Sequence, residues 1–377
     1  MSPGFPRATI ILVALAAATI TAIGFSGIRG ILAPTLLTLV LVICANPVRS
    51  GLLKRGVPGG IATGSVILVV FGLLAGFTFT IILAFGQFVA MLPTYSAQFA
   101  EIGANIGEWL KSIGIGQREI QNFLHTINPS NVVAAISETL GGFASVVGGL
   151  VIVLTMMILM AADAVYARTV LGQLGAHEPD LVVALRNYAS NVRRYMVVTT
   201  VLGVVQGALN TIALAILQVP AALLWGLLAF LCSFIPNIGY FFALIPPLIF
   251  GFLVGGWPTA IAIVIIYGVI NAVVQSIIQP RVVGHAVSLG QTLTFFSVLF
   301  WAIIIGPIGA ILAIPLTLLA KAVLIDANPD LHWWRPALGP TAETEKLEKD
   351  NEASAKADRR RTHSAGTAPP SSKPPAG

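Results

Sequence analysis

Apolar residues run through this chain in long blocks, separated by short polar stretches. A helix needs roughly 20 apolar residues to cross a bilayer. Blocks of about that length occur at roughly 8–24, 28–46, 60–89, 142–162, 196–217 and 257–278. The first follows Arg7 and could be read as a cleaved signal peptide, but the second begins almost at once and favours a retained span. The third is rich in glycine, which suits close helix packing in lipid.

Between 90 and 141 the pattern changes from continuous to periodic. Phe99, Ile102, Ile106, Leu110 and Ile113 form one helical stripe. Ile120, Phe123, Leu124 and Ile127 form a second, and Val132, Val133, Ile136 and Leu140 a third. Asn128-Pro129-Ser130 is a turn and a helix start. The pattern predicts a small amphipathic helical domain outside the bilayer. Residues 163–195 are polar again, and DLVVALRNYASNVRRYM reads as an amphipathic helix leading into the fifth span. From 331 a polar tail begins, rich in Pro, Ser and Lys, that cannot bury a core and is expected to be disordered.

Two apolar runs fit no simple span. Residues 222–254 would make a helix of about 50 Å, well beyond a hydrocarbon core of about 30 Å. The run is also too short for two spans and a turn. It contains FIPNIGYFFALIPPL, with Pro236, Asn237 and Gly239 at its middle. The run at 292–325 has the same form, with Gly306-Pro307-Ile308-Gly309 at its middle and Pro315 beyond. Each predicts two half-helices meeting at a tip, although a proline-kinked single helix is the alternative for each. A backbone break at membrane depth is tolerated only where it is buried in protein or lines an aqueous cavity. A pair of such breaks points to a transporter binding site.

Composition supports the membrane class: the 377 residues are 56% hydrophobic and only 10% charged, against about 25% charged in soluble domains. The net charge of +6 comes from positives beside apolar runs. Membrane orientation explains them, and no nucleic-acid partner is expected. Arg49, Lys54 and Arg55 follow the second block, and Arg168, Arg186, Arg193 and Arg194 follow the fourth. Both loops are cytoplasmic if the N-terminus is cytoplasmic, which puts the 90–141 domain outside and the C-terminus inside. Cys44 and Cys232 lie far apart in apolar runs and read as inert thiols.

Between the two broken runs, Asn271, Gln275 and Gln279 share one helical face. They either bond helices together or line a polar lane. Arg281 snorkels, binds an anionic solute or pairs with a carboxylate. No Asp or Glu lies at mid-membrane depth, which argues against a carboxylate proton relay. No metal-ligand spacing, nucleophile–base motif or phosphate-cradling loop is present. Catalytic residues, metals and cofactors are therefore not expected.

FIPNIGYFFALIPPL and PRVVGHAVSLGQTLTFFSVLFWAIIIGPIGAILAIPL resemble the C-terminal region of the AI-2E transporter family. The likeness extends back through RRYMVVTTVLGVVQGALNTIALAILQVPAALLWG and covers roughly 1–330. It implies a bacterial inner-membrane permease that assembles as a homo-oligomer and has small polar solutes or ions as its cargo. Pro236, Gly239, Arg281, Gly284, Gly306, Pro307, Gly309 and Pro315 match the family's motif positions. The long basic tail is not part of that pattern.

The expected architecture is an all-α polytopic membrane protein. It has about six full spans, two broken or re-entrant hairpins and a small extracytoplasmic helical domain. The expected division is 1–89, 90–141, 142–330 and the tail 331–377. The expected path residues are Pro236, Asn237, Gly239, Asn271, Gln275, Arg281, Gly284, Gly306, Pro307, Gly309 and Pro315. A permease exporting a small polar solute such as a quorum-sensing signal is the leading reading. A Na+(Li+)/H+ antiporter and a non-transporting scaffold are its rivals.

Overall fold

The computed structural model describes residues 7–114, 116, 143–164, 166–236, 238–279, 281, 289–334 and 338–339. Among the described residues the chain is helical and has no strand. The order is α1 (Arg7–Gly27), α2 (Arg29–Lys54), α3 (Gly59–Met91), α4 (Ser96–Ser112), α5 (Phe143–Asp163), α6 (Ala167–His177) and α7 (Pro179–Ile216). Then follow α8 (Ala222–Cys232), α9 (Gly239–Asn271), α10 (Gln291–Ile305), α11 (Pro307–Ile311) and α12 (Ala313–Lys321). The second and third amphipathic stripes and the tail beyond 339 lie outside the described residues.

The six expected spans have counterparts in α1, α2, α3, α5, α7 and the second limb of α9. That limb begins at Gly256, whose φ of 63° and ψ of −158° interrupt the helix. An added Cβ on Gly251 would collide with Ile263 and meet Thr259. The chain therefore doubles back at Gly256, between the run ending at 254 and the span starting at 257. Large apolar side chains face outward along the bundle: Leu68 is 74% exposed and Ile303 77%. Such a surface suits lipid, not water.

α7 organises the interior. Its 38 residues make a rod of about 57 Å, much longer than a hydrocarbon core. Pro179 and Asp180 open it, a proline at the first turn and an acid near the positive end of the helix dipole. No proline interrupts it, so the amphipathic segment and the fifth span become one helix. Two apolar clusters flank it. Tyr188, Val192, Tyr195 and Met196 pack with Val40, Ile304 and Leu312. Leu214 packs with Phe88, Trp225, Phe250 and Tyr267.

Helix α2 carries Pro34 and Pro47 internally. Pro47 has no N–H, so the carbonyl of Ile43 loses its helical partner. The Arg193 Nε of α7 donates to that carbonyl at 3.1 Å. A proline in one helix is thus answered by a cation on another, which ties α2 to α7.

Candidate functional site

Both interrupted runs fold as hairpins of short helices. α8 has 11 residues, about 16 Å, roughly half of a hydrocarbon core. Residues 233–236 and Ile238 lie in the turn, and α9 returns alongside α8. Trp225 stacks on Phe250, with centroids 5.8 Å apart, and Leu224, Ala229 and Cys232 share a cluster with Ala243 and Leu244. Gly239 begins the return arm, and a Cβ there would collide with the Cys232 carbonyl.

In the second hairpin α10 has 15 residues, about 22 Å. Gly306 turns the chain with φ 84° and ψ −159°, a conformation that favours glycine. Pro307 then starts α11 at a position where its missing N–H costs nothing. A Cβ on Gly309 would collide with the Trp301 carbonyl. Both hairpins therefore use the same device, a glycine of the return arm against a carbonyl of the outgoing arm. The Trp301 indole N–H also donates to Thr317 Oγ1 at 3.0 Å, closing the second hairpin onto α12.

The two tips touch directly. Ile235 and Ile238 of the first pack against Val298, Ala310 and Ala313 of the second. The contact is apolar, so the tips close on each other.

The polar space lies to one side, along α7. A half-open pocket of about 180 Å³ is lined by Thr199, Gln206 and Ser233 and by Gln275 and Gln279. The first two come from α7 and Ser233 from the first tip. The glutamines come from the π-helical turn Ala272–Ile278 and the residue after it. The pocket has room for about one water. Hydroxyls and carboxamides supply donors and acceptors, and none of its lining residues is charged.

The pocket is one part of a longer seam. Tyr188, Tyr195, Thr199, Gln206 and Asn210 follow one another along α7 at spacings of seven and four, which keeps them on one face. Each has a buried polar atom with no hydrogen-bond partner in the structure. Tyr195 and Thr199 are neighbours, yet neither completes a well-aligned bond. Asn210 is fully buried, and both its amide atoms lack partners. On α9, Tyr267 and Asn271 add a hydroxyl and a carbonyl in the same state. From Tyr188 to Asn210 the seam covers about 33 Å, close to the thickness of a hydrocarbon core. Buried polar groups nearly always find partners, so a row of exceptions singles out this face of α7 as the candidate site.

Close backbone packing forms the wall beside this seam. Gly203 and Gly207 flank Gln206 as a G-x-x-x-G motif, which lets helices approach closely in lipid. A Cβ on Gly207 would lie 2.7 Å from the Gly226 carbonyl, and one on Gly226 would lie 2.7 Å from the Gly207 carbonyl. A Cβ on Gly203 would collide with Ser233. These glycines seat α8 on α7 and deliver Ser233 to the pocket.

The expected site residues separate into groups. Gln275 lines the pocket, and Asn271 continues the seam one turn away. Pro236 and Gly239 form the first tip, and Gly306, Pro307 and Gly309 the second. Pro315 is fully buried in α12 as packing. Arg281 is exposed and does not line the pocket. Asn237 and Gly284 lie outside the described residues. Gln279 joins Gln275 from the helical face they share, and Thr199, Gln206 and Ser233 are further lining residues beyond the expected set. The seven-and-four spacing along α7 and the G-x-x-x-G around Gln206 were the signals for them. Among the described residues no group of acidic, His or Cys side chains could hold a metal ion.

Residues 9–328 match the model of the AI-2E family transporter family. AI-2 transport protein TqsA of Escherichia coli (strain K12) is 26% identical over 297 residues, covering 78% of this chain and 85% of that protein. YhhT of the same organism, provisionally named a transport protein, is 25% identical over 312 residues, covering 82% of this chain and 89% of that protein. A provisionally named transport protein of Haemophilus influenzae is 26% identical over 337 residues, covering 87% of this chain and 95% of that protein.

Proposed function

From the premise that this chain belongs to the AI-2E transporter family, we propose that it carries a small polar solute along the seam on α7, with the two hairpin tips as the gate. The chain is a multi-pass membrane transporter, not an enzyme. The single observation that carries the path is the row of buried, unpartnered polar groups from Tyr188 to Asn210. Such a row is unfavourable in a closed resting state, because each orphan group costs about 1–3 kcal/mol. It becomes favourable when a hydrated solute enters and satisfies it.

The tips meet through apolar side chains, which suits a barrier that must exclude water. The pocket beside Ser233 holds about one water, so solute entry requires the first tip to move away from α7. Uncharged donors and acceptors favour an uncharged solute rich in hydroxyls, and the autoinducer implied by the name of TqsA fits that chemistry. The absence of a carboxylate along the lining disfavours sodium/proton exchange.

We place the protein in the bacterial inner membrane with both termini cytoplasmic, because Arg49, Lys54 and Arg55 and the basic loop after α5 then lie inside. The first hairpin enters from outside and the second from inside under this orientation. Assembly into homo-oligomers accompanies the family reading, and chemical cross-linking in membranes would check it. The decisive test of the path is flux of the autoinducer from loaded vesicles. Gln206→Ala and Gln275→Ala are each expected to slow it at least about tenfold, the loss of one buried hydrogen bond to a bound solute. Wild-type flux in both would remove the seam as the path.

A further inference from the structure

We propose that a groove between α2, α3 and α5 is a seat for an anionic phospholipid, with its phosphate on Arg49 and an acyl chain in the groove. The groove, open along one side, spans about 390 Å³ with that open space included, and its depth can be read from its lining. Leu41, Ile67 and Met157 lie at its inner end. Arg49, Thr63 and Ala164 lie at its mouth. On α2 these levels are eight residues apart, about 12 Å along the helix axis. The groove therefore runs parallel to the helices, apolar within and polar at the mouth, as a lipid does.

Arg49 is held for this task. Its Nε donates to Thr63 Oγ1 at 2.7 Å, which fixes the guanidinium plane. Among the described residues no carboxylate pairs with it. The other edge of the guanidinium keeps two N–H groups able to take a phosphate in bidentate fashion. The charge around it is one-sided. The first 100 residues contain no Asp or Glu, and Lys54 and Arg55 follow within six residues of Arg49. Asp163, beside the mouth on α5, is exposed. A basic pocket between spans at the cytoplasmic end is the kind of place that binds anionic headgroups.

The occupant is a lipid and not free phosphate, because the apolar inner end would otherwise stay unfilled. The groove shares no lining residue with the solute pocket on α7, so the inference stands apart from the transport path. It is tested by native mass spectrometry of the full chain in detergent with added lipid. Wild-type protein is expected to retain phosphatidylglycerol over phosphatidylcholine, and millimolar inorganic phosphate is expected not to displace it. Arg49→Gln should lower retention about tenfold, the loss of charge-assisted hydrogen bonds. Met157→Trp should lower it by filling the groove with the charge intact. Arg29→Gln, at the opposite end of α2 and outside the groove, should leave it nearly unchanged. Folding of each variant is checked by its elution as a single species. Equal retention of both lipids by the wild type, displacement by phosphate, or full retention by both Arg49→Gln and Met157→Trp would overturn the proposal.

Discussion

Replacing Asn210 with leucine separates a solute path from a packing defect, because the two give different results in flux. Asn210 is fully buried on α7, and neither its carbonyl nor its amide nitrogen has a partner. Leucine keeps the branched shape and heavy-atom count, and its bulkier methyl groups offset only part of what two orphan atoms cost. An unsatisfied buried polar group costs about 1–3 kcal/mol. The closed protein should therefore gain about 2 kcal/mol from Asn210→Leu. If opening hydrates the seam, the open form gains nothing, and its population falls about thirtyfold. The thermal midpoint in detergent should rise while autoinducer flux from vesicles falls by about that factor. A raised midpoint with wild-type flux would show that Asn210 is buried for packing alone. A lowered midpoint would show that its amide has partners, and the reasoning would fail at its first step.

Two further outcomes follow from contacts elsewhere. Gly239→Ala drives a Cβ into the Cys232 carbonyl, which cannot rotate away as a side chain could. Stability should fall by about 1–3 kcal/mol, read as a lower midpoint, whereas Gly64→Ala meets nothing within 4 Å and should be nearly silent. Arg193→Leu leaves the Ile43 carbonyl, freed by Pro47, without its donor. The loss of that charge-assisted bond should cost about 1.5–3 kcal/mol, and Cys44, one residue along α2, should react faster with maleimide; an unchanged rate would show that the bond does not hold α2 to α7.

The breaks were legible because proline and glycine have few uses in an apolar helix. PNIG and GPIG sit in the middle of runs of the wrong length for a span, and the structure turns at both. The boundary between 254 and 257 was legible for the same reason, and Gly256 supplies it. The span count rests on the lengths of the apolar blocks, and the arginines and lysines at block ends support the proposed orientation. The seam was only half legible. Gln206 and Asn210 stand out in an apolar span, and Asn271, Gln275 and Gln279 clearly share a face. Sequence tells which residues share a helix face, but not which other face they meet, so the meeting of Gln206 with Gln275 is a tertiary fact. The contact between tips left no mark, since Ile235 and Ile238 look like any other apolar residues. Arg281 stayed open in the sequence because a charge near an interface can serve several purposes, and in the structure it is exposed.

The place where α7 touches α8 has a mechanical meaning. At Gly207 and Gly226 backbone meets backbone, and Thr211, which also faces Gly226, is tied by its hydroxyl to the Gly207 carbonyl. Helices that interlock through side chains must change rotamers to tilt, and packed cores resist such changes. A contact made largely of main chain, with its one hydroxyl already tied down, has few rotamers to change. It acts as a fulcrum about which the short α8 can rock. Ser233 sits at the end of that lever, seven residues beyond Gly226, about 10 Å along the helix. A tilt of about 15° there, comparable to known switching rotations, moves the tip by about 2.6 Å. That is close to the width of a water molecule, so the hinge turns a small angle into an opening of molecular size.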